Sequence, residues 1–439
     1  MAAGELRLGL IGLGTVGSEV VRLLEQNADA LARKRNCRLR LVHVASRSIH
    51  TKPHPDLSGA RLSTDPWAVA RDPEVELVVE LIGGTEPARS LLLAALEAGK
   101  AVVTANKALL AVHGEEIFSA AEERGVPLGF EASVAGGIPI LRTLRESLAA
   151  DQNHALFGIV NGTCNYILTM MREQDAEFET ALRSAQDEGL AEADPSFDID
   201  GIDAAQKLTL LAMLAFGVRV PFDAVYTEGI RQLSQTDILF AREFGYEIKL
   251  LAIAKQEDGL VELRVHPTMV PQRSLLAGVG GAYNAIFVQG QALGSSLYFG
   301  RGAGGPPTAA AVVSDILDAT RTCGLASARQ LPGLGYAWKE LRSAPIRPMD
   351  EVVSEYYVRF QVADRPGVLA AIAGRLAEQS ISIASVIQRG RSNSDASVPL
   401  VIRTHAAGER NLKAALRQVN QLPVVEGQAV CVRIEENLG

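Results

Sequence analysis

The side chains best suited to do chemistry are a carboxylate and an ammonium group in a stretch that is otherwise apolar. From about Ile202 to Phe216 the sequence reads IDAAQKLTLLAMLAF, and its spacing predicts a helix. At 3.6 residues per turn, Asp203 and Lys207 lie one turn apart on one face. Most of the circumference is apolar, which is typical of a buried helix. Buried charges cost free energy unless they pair or serve a site, so we interpret this pair as functional.

The loop before this helix adds two more carboxylates. Glu192 and Asp194 lie just upstream of the helix, in a loop signalled by Asp-Pro-Ser at residues 194–196. The alternative is a surface helix, on which an i,i+4 pair contributes only a few tenths of a kcal/mol, but the apolar neighbours of the pair argue against it. We therefore expect the chemistry between Gly189 and Gly217, with other segments delivering a cofactor and a substrate.

Length and composition limit the possible classes of protein. The chain has 439 residues, enough for two or three domains, and 47% of them are hydrophobic. A net charge of −8 gives no electrostatic reason to expect nucleic acid or a membrane as a partner. Four scattered cysteines without CxxC spacing suit a reducing cytosol. With no signal peptide and no apolar run of transmembrane length, we expect a soluble cytoplasmic protein.

The N-terminus predicts a dinucleotide-binding unit. An apolar run, Leu6 to Ile11, is typical of a buried strand, and a helical pattern begins near Val16. Between them, Gly12, Gly14 and Gly17 have the spacing GxGxxG. These glycines allow a tight turn, close approach of the backbone to a pyrophosphate and close helix–strand packing. Glycine is common in this chain, so the motif alone can arise by chance, but its position between strand and helix favours a nicotinamide cofactor.

The end of the second predicted strand bears on the choice of cofactor. Leu39 to Ala45 runs into Ser46-Arg47-Ser48, where an NAD-selective site usually has an acidic residue. Arg47 suits the 2′-phosphate of NADP, but it is equally well interpreted as a solvated loop arginine.

Further βα units predict a parallel, doubly wound sheet. Their strands are Val75 to Ile82, Ala101 to Thr104 and Val126 to Phe130. In such sheets, ligands bind beyond the carboxyl ends of the strands. The polar and glycine residues at these ends are Gly84, Thr85, Asn106, Lys107 and Glu131. Lys107 alone would be interpreted as an exposed lysine at a helix start, but the convergence of several groups favours a site.

A different pattern begins near Ile140. A predicted strand from Phe157 to Val160 leads into a helix with Cys164 in its first turn. A thiol at a helix N-terminus can be a nucleophile, but no histidine follows closely, so a packing role is favoured. Later strands are predicted at Leu250 to Lys255, Leu260 to Pro267 and Ala285 to Gln289. A second glycine-rich turn, Gly300 to Pro307, either closes over the cofactor or is a plain loop, and an apolar helix follows it from Thr308.

The C-terminal part predicts a separate ferredoxin-like module. Strands and helices from Tyr356 to Ile434 follow the order βαββαβ, with a turn at Asp364 to Leu369. The module contains no catalytic constellation, so it either binds an effector or serves only for dimerisation. We expect these domains: 1–139, completed by a helix at 308–323; 140–307, for substrate and dimerisation; a linker at 324–351; and 352–439.

Seven motifs, in this order and at compatible spacing, resemble homoserine dehydrogenases with a C-terminal ACT domain. They are GLGTVG at Gly12, VVTANKALL around Lys107, FEASVAGGIPI at Glu131, NGTCNYIL at Asn161, GLAEADPSFDIDGIDAAQKL at Gly189, RGAGGPPTA near Gly304 and DRPGVLAAIA at Asp364. The resemblance covers essentially the whole chain and is to the monofunctional form, since no aspartate kinase segment precedes it. It implies a Rossmann-type domain, an α+β substrate and dimerisation domain, and an ACT domain.

The resemblance also implies an activity and a set of roles. The expected reaction interconverts L-aspartate 4-semialdehyde and L-homoserine in threonine, methionine and isoleucine synthesis, with NAD or NADP. Lys207 would be the proton donor, with catalytic roles for Asp203 and Lys107. Substrate contacts would come from Glu192, Thr163, Asp203 and Lys107. Cofactor contacts would come from Gly12, Gly14, Thr15, Val16, Gly17, Arg47, Thr85, Ala105, Lys107, Gly189, Gly304 and Gly305.

Two further sites follow from the resemblance. The carboxylate of Glu131 and the carbonyls of Val134, Gly136 and Ile138 would hold a sodium ion, although from sequence alone a simple turn is an equal interpretation. The ACT domain implies feedback by an amino acid, L-threonine in most of the family. Its expected contacts are Asp364, Pro366, Gly367 and Val368. A homodimer or homotetramer is expected.

Two rival functions remain open at this point. The first is a phosphorylating semialdehyde dehydrogenase with Cys164 as acyl acceptor. The second is a non-catalytic ACT-based amino-acid sensor with a relic dehydrogenase, against which the intact Lys207, Asp203, Glu192 and GxGxxG motif argue.

Overall fold

The structure, a computed structural model, describes residues 4–321, 331–389 and 397–438. Up to residue 216 its elements are, in chain order, β1 (Gly4–Ile11), α1 (Thr15–Gln26), α2 (Ala28–Arg35), β2 (Cys37–Ala45), β3 (Arg61–Ser63), α3 (Pro66–Ala70), β4 (Leu77–Glu80), α4 (Ala88–Glu97), β5 (Ala101–Thr104), α5 (Lys107–Arg124), β6 (Leu128–Gly129), α6 (Ile140–Arg142), β7 (Asn153–Ile159), α7 (Gly162–Glu173), α8 (Phe178–Asp187), α9 (Ser196–Ile199) and α10 (Ile202–Phe216).

The remaining elements begin after residue 217. They are β8 (Tyr226–Thr227), α11 (Gln235–Glu243), β9 (Tyr246–Glu257), β10 (Leu260–Pro271), β11 (Tyr283–Gly290), β12 (Gly294–Arg301), α12 (Gly305–Ala319), β13 (Val353–Ala363), α13 (Val368–Glu378), β14 (Ile383–Gln388), β15 (Ser397–Thr404), β16 (Ala407–Gly408), α14 (Glu409–Val419) and β17 (Val425–Ile434). None of the helices in the described ranges combines the length and apolarity that crossing a membrane requires.

Two compact units make up the chain, and each contains several segments. The first comprises Met1–Val160, Ala204–Val225 and Asn284–Ala344. The second comprises Asn161–Asp203, Tyr226–Tyr283 and Pro345–Gly439.

The first unit contains a six-stranded sheet in the order β3-β2-β1-β4-β5-β6. Every neighbouring pair in it is parallel. The chain order reverses between β1 and β4, so the loops after these strands diverge and leave a crevice at that edge. Such a switch point is where dinucleotides bind in this topology.

Alternation along β1 determines how helices cover this sheet. Leu6, Leu8 and Leu10 pack in one cluster with side chains of α1 and α12, including Val20 and Ile316. On the opposite side, a Cβ at Gly9 would come within 2.6 Å of Val69 in α3. Both faces of the sheet are therefore covered, as the apolar strands of a parallel sheet require.

Three further strands of the first unit run in the order β12-β11-β7. β11 pairs antiparallel with β7, from Ala285 opposite Ile159 to Gly290 opposite Asn153. Immediately after β7 come Val160 and Asn161, the residues that lead into α7.

In the second unit the strands run in the order β9-β10-β17-β13-β15-β14. β9 and β10 form a long antiparallel hairpin with twelve paired positions. The last strand of the chain, β17, joins β10 in parallel through Thr268 opposite Arg433. A C-terminal module thus continues this sheet.

The C-terminal module has the βαββαβ order and the strand arrangement β17-β13-β15-β14. Its own core contains Tyr356, Phe360, Ile372 and Leu412, which come from β13, α13 and α14. The central neighbours are β13 and β15, the first and third of these four strands, and the last strand β17 pairs antiparallel with β13, which is the ferredoxin-like arrangement.

Buried ion pairs attach the module to the rest of the second unit. Asp237, in α11, has no exposed surface, and its carboxylate accepts hydrogen bonds from Arg359 Nε at 2.7 Å and from the Tyr357 hydroxyl at 2.9 Å. Arg433, in β17, donates to Glu228 at 2.8 Å and to Glu409. Because each buried charge has partners, removal of one partner would leave a costly unpaired ion.

The predicted fold class is confirmed: a parallel N-terminal sheet, a mixed sheet and a C-terminal ACT-type module. The helix at 202–216 has the predicted bounds. Two strands are shorter than predicted, because pairing in the parallel sheet is limited to Leu77–Glu80 and Leu128–Gly129. The helix expected from Thr308 begins at Gly305 and ends at Ala319; residues 322 and 323 of that prediction, and the start of the predicted linker, lie outside the described residues.

Candidate active site

Lys207 is held by the main chain that follows β7. Only 8% of the residue is exposed, and its Nζ donates a hydrogen bond of 2.7 Å to the carbonyl oxygen of Val160. Its neighbours on α10 include the fully buried Leu208 and Leu211. An ammonium group in such surroundings needs strong acceptors, and one lone pair of Val160 supplies part of that need.

Asp203, one turn earlier on α10, is held by the side chain of Asn161. The residue is 5% exposed, and its Oδ2 accepts a hydrogen bond of 2.9 Å from Asn161 Nδ2. Asn161 also caps α7, since its Oδ1 accepts the amide hydrogen of Cys164 at 2.8 Å. An extended N-cap residue with a short polar side chain is the expected start of such a helix.

A side chain in the first turn of α7 holds the loop from Gly189 to Gly201. Thr163 Oγ1 lies 2.9 Å from the carbonyl oxygen of Leu190 and 3.1 Å from Asp198 Oδ2. At its end, the carbonyl oxygen of Ile199 accepts a hydrogen bond of 2.9 Å from Ile230. Gly189 has φ +71°, the left-handed conformation that ends α8. Two residues that were given no role from the sequence are thus partners of predicted substrate residues: Asp198 of Thr163, and Asn161 of Asp203.

Glu192 lies in this loop with an exposed side chain. Its carbonyl oxygen accepts a hydrogen bond of 3.1 Å from the side chain of Gln186 at the end of α8. The backbone of the loop is therefore fixed while the carboxylate faces solvent, as a group that meets a polar substrate requires.

A cleft of about 710 Å³ lies at the switch point of the parallel sheet. Gly12 has φ +106°, and a Cβ there would come within 2.8 Å of the carbonyl group of Leu81. A Cβ at Gly17 would come within 2.1 Å of the carbonyl oxygen of Gly12, whereas one at Gly14 would meet no atom within 4 Å. These are the three duties of the dinucleotide glycines: a tight turn, close helix packing and open space for a pyrophosphate. The chain fits the predicted nicotinamide cofactor here.

The rim of this cleft contains the residue predicted to select NADP. Arg47 lines it together with Ser46, Ser48 and Lys52, all from the segment after β2. Lys52 has no recognisable motif around it, and only its place in the folded loop indicates a role. Among the described residues, the predicted contacts Thr15, Val16, Gly17, Thr85 and Ala105 do not line the cleft, although Gly83 and Glu86, on either side of Thr85, do.

The second glycine-rich turn packs against the first. A Cβ at Gly305 would come within 3.1 Å of Thr15 Cγ2, at the start of α1, and Gly304 has φ +115°. The turn therefore reaches the N-terminus of the helix that faces the cofactor, which agrees with the interpretation that it closes over the cofactor.

A buried glutamate that was not singled out in the sequence organises the loops near Lys107. Glu80, at the end of β4, has no exposed surface; its Oε1 accepts the amide hydrogens of Ile82 and Gly83, and its Oε2 accepts the hydroxyl hydrogen of Thr104. Asn106 caps α5, whose first residue is the half-buried Lys107. The sequence feature that could have identified Glu80 is its position, a glutamate at the end of an apolar strand.

The segment predicted to hold sodium is buried and polar. Each oxygen of the Glu131 carboxylate accepts one backbone amide hydrogen, from Leu141 and Arg142, both at 2.8 Å. Burial raises the pKa of Glu131, and burial together with Glu131 raises the pKa of the adjacent Asp315 to about 7. Val134, Gly136 and Ile138 are buried beside it in the chain. Carboxylate and carbonyl oxygens are the hard ligands that a sodium ion prefers.

The predicted effector residues form the turn into α13. Gly367 has φ +90° and precedes Val368, the first helical residue. The Asp364 carboxylate accepts a hydrogen bond of 3.4 Å from Gln388. Asp364 and Pro366 are exposed. The turn can therefore meet a small polar ligand.

Cys164, the candidate nucleophile of the rival function, is fully buried. Its Sγ donates to the carbonyl oxygen of Asp198 at 3.2 Å. The structure thus gives this thiol a packing role and leaves no access for an aldehyde.

Comparison with known families places these features together. The family model of homoserine dehydrogenase matches residues 139–317, the model of its NAD-binding domain matches residues 12–131, and the ACT domain model matches residues 356–424. The chain belongs to the homoserine dehydrogenase family. The predicted family and its homoserine dehydrogenase function are thereby confirmed.

Individual members support this membership over the full length. A homoserine dehydrogenase of Pseudomonas aeruginosa is 44% identical over 433 residues, which are 98% of this chain and 99% of that protein. The crystal structure of a homoserine dehydrogenase from Thiobacillus denitrificans matches with a TM-score of 0.91 at 46% identity and covers 99% of both chains. A hyperthermophilic archaeal homoserine dehydrogenase mutant in complex with NADPH matches with a TM-score of 0.62 at 25% identity, over 72% of this chain and 98% of that chain.

Replacement of Cys164 by alanine tests the rival function. We expect Cys164→Ala to leave turnover of homoserine largely intact, because the thiol is fully buried and donates to the carbonyl oxygen of Asp198. The measurement is steady-state kinetics together with mass spectrometry of the protein after incubation with L-aspartate 4-semialdehyde and NADP⁺, which accepts the hydride when an acyl adduct forms. Complete loss of activity, with a covalent acyl adduct on the unmodified protein that the variant lacks, would establish the rival instead.

Proposed function

We propose that the chain catalyses the reduction of L-aspartate 4-semialdehyde to L-homoserine, and its reverse, with Lys207 as the proton donor. The observation that carries this proposal is the buried ammonium of Lys207, fixed by Val160, one helical turn after the buried carboxylate of Asp203. Two opposite charges in an apolar helix are costly for stability, and a proton-transfer role explains their presence.

The chemistry divides between the cofactor and the chain. When bound, the reduced nicotinamide supplies a hydride to the aldehyde carbon. As the carbon–oxygen double bond becomes single, negative charge develops on the oxygen. The Lys207 ammonium stabilises this alkoxide and then donates its proton, which gives the alcohol. In the reverse direction Lys207 accepts the hydroxyl proton.

The charged residues assigned to the site by the family resemblance suit an amino-acid substrate. We assign the exposed carboxylate of Glu192 to the α-ammonium group of the substrate, with Asp203 and Thr163 as further contacts. Lys107, at the start of α5, would attract the substrate carboxylate beside the nicotinamide. Gly189 would contact the cofactor from the substrate loop. An α-amino acid with a short side chain presents the complementary charges.

The preferred cofactor in this proposal is NADP. Arg47 and Lys52 on the rim of the cleft place two cations near the end of β2, where the 2′-position of the ribose lies in this fold. A member of the family, the archaeal mutant, has NADPH bound. Arginine recognises phosphate through paired donors, so it favours NADP over NAD.

Three further features belong to the proposal. The carboxylate of Glu131, with the carbonyls of Val134, Gly136 and Ile138, would hold a sodium ion through hard oxygen ligands. The C-terminal module binds L-threonine, the end product of one branch of the pathway. The protein acts in the cytoplasm as a homodimer or homotetramer, with the domain boundaries expected from the sequence.

Removal of the Lys207 ammonium tests the central assignment. We expect Lys207→Ala to lower kcat by at least about two decades, the usual contribution of general acid–base catalysis. Steady-state kinetics and circular dichroism measure activity and fold together. Lys34→Ala, which changes an exposed lysine of α2, is the control and keeps full activity. Near-normal turnover of folded Lys207→Ala would refute the assignment.

Cofactor preference is tested at Arg47. Arg47→Ser removes the proposed phosphate partner, so we expect KM for NADPH to rise at least about tenfold while KM for NADH changes little. The ratio of the two KM values is the decisive quantity, because a general distortion of the cleft raises both. An unchanged ratio would show that Arg47 does not select the cofactor.

The effector proposal is tested by calorimetry on the full chain. We expect L-threonine at millimolar concentration to give a heat of binding that Asp364→Ala abolishes, since this exposed carboxylate lies in the turn that meets the ligand. L-Valine, which lacks the hydroxyl group, serves as the matched ligand. The absence of any threonine binding would remove the regulatory role.

A further inference from the structure

The turn between β7 and α7 contacts both charged residues of α10. The carbonyl oxygen of its first residue, Val160, accepts a hydrogen bond of 2.7 Å from the Lys207 ammonium. Its second residue, Asn161, donates from its side chain to Asp203 at 2.9 Å. The Val160 carbonyl oxygen and the Asn161 Cα belong to one planar peptide unit, so the two anchors are adjacent in the chain.

The Asn161 side chain is fully used. It is 3% exposed, and besides Asp203 its Nδ2 donates to Asp198 Oδ1 at 2.8 Å, while its Oδ1 accepts the amide hydrogen of Cys164. Only one orientation of the amide satisfies these neighbours: a flipped amide would set its oxygen against two carboxylates and its NH₂ group against a backbone donor.

The amide holds two like charges close together. Oxygen atoms of Asp198 and Asp203 each lie within 2.9 Å of the same nitrogen atom. Carboxylates at such a separation repel each other unless donors stand between them. Asn161 supplies two N–H groups for this purpose, and the Thr163 hydroxyl lies 3.1 Å from the other oxygen of Asp198. Holding two carboxylates this close costs free energy. Capping of α7 alone does not require that cost, since a serine would cap the helix equally well.

We propose that Asn161 is a positioning residue for the reaction: its amide fixes the Asp198 and Asp203 carboxylates, while the carbonyl oxygen of Val160 fixes the Lys207 ammonium. The turn thereby limits the movement of the proton donor and, through a separate contact, of the two carboxylates. This inference rests on the proposed role of Lys207. It adds a residue that does not itself touch the reacting atoms.

Two substitutions separate the cap from the carboxylate contacts. Asn161→Asp keeps an oxygen for the amide hydrogen of Cys164 but replaces both donors with a third carboxylate. Asn161→Ser keeps a capping oxygen and adds no charge, but it cannot reach the two carboxylates. We expect each to lower kcat at least about tenfold at pH 8, with KM for the nicotinamide cofactor unchanged.

The pH profile identifies the cause of the loss. In Asn161→Asp, three neighbouring carboxylates favour retention of a proton, and the protonated acid can donate as the amide does. The ratio of variant to wild-type kcat/KM should therefore rise as the pH falls from about 8 to about 6, whereas the ratio for Asn161→Ser stays flat. A purely structural role of Asn161 predicts flat ratios for both.

Asn165 provides the matched control on the same helix. Its equally buried amide donates to the main-chain carbonyl oxygens of Val279, Gly281 and Tyr283, not to carboxylates. Asn165→Asp should lower the melting temperature without the large loss of kcat.

The outcomes distinguish this inference from the proposed function. If the wild-type chain does not oxidise L-homoserine, the proposed function fails. If the wild type is active and folded Asn161→Ser keeps wild-type kcat, the positioning role is overturned. If Asn161→Asp does not fold, Asn161→Ser alone still decides between the two results.

Discussion

Burial of a carboxylate and an ammonium in one apolar helix is the constraint on which the site depends. Asp203 and Lys207 are each less than a tenth exposed, so both must have acceptors or donors inside the protein. The turn after β7 provides both. The Val160 carbonyl oxygen accepts a hydrogen bond from the Lys207 ammonium, and the Asn161 amide donates one to the Asp203 carboxylate. Desolvation of each ion costs several kcal/mol, and polar contacts of this quality are what offset it. Val160 follows directly on Ile159, the last residue of β7, which pairs with Ala285 of β11.

The cofactor cleft follows from a different constraint, the reversal of strand order between β1 and β4. There the glycines at residues 12, 14 and 17 each meet a separate steric demand, and the buried Glu80 shapes the loop on the far side. The C-terminal module also continues a sheet, through β17 beside β10, and is fixed by the buried Asp237–Arg359 pair. A regulatory ligand bound to this module would act on the second unit, which also contains the loop from Gly189 to Gly201.

Much of this was predictable from the sequence, and the exceptions have physical reasons. Period and composition located α10 to the residue, because its apolar surface is almost continuous. The helix α2 was not predicted, because its polar sequence, ADALARKR, has no apolar stripe. The edge strand β12 is half exposed, so it lacks the clear alternation of a packed strand. Asn161 and Asp198 carry no signal of their own: an asparagine before a helix predicts only a cap, and that its amide also meets two carboxylates depends on a loop that is distant in sequence.

One measurement on the wild-type protein tests the proposed reaction most directly. Reduction of NADP⁺ and of NAD⁺ should be followed spectrophotometrically at matched concentrations, with L-homoserine as the substrate and L-serine, one methylene shorter, as the comparison. The account predicts homoserine-dependent formation of the reduced cofactor, faster with NADP⁺ and weak with L-serine. No homoserine-dependent reduction with either cofactor would contradict it.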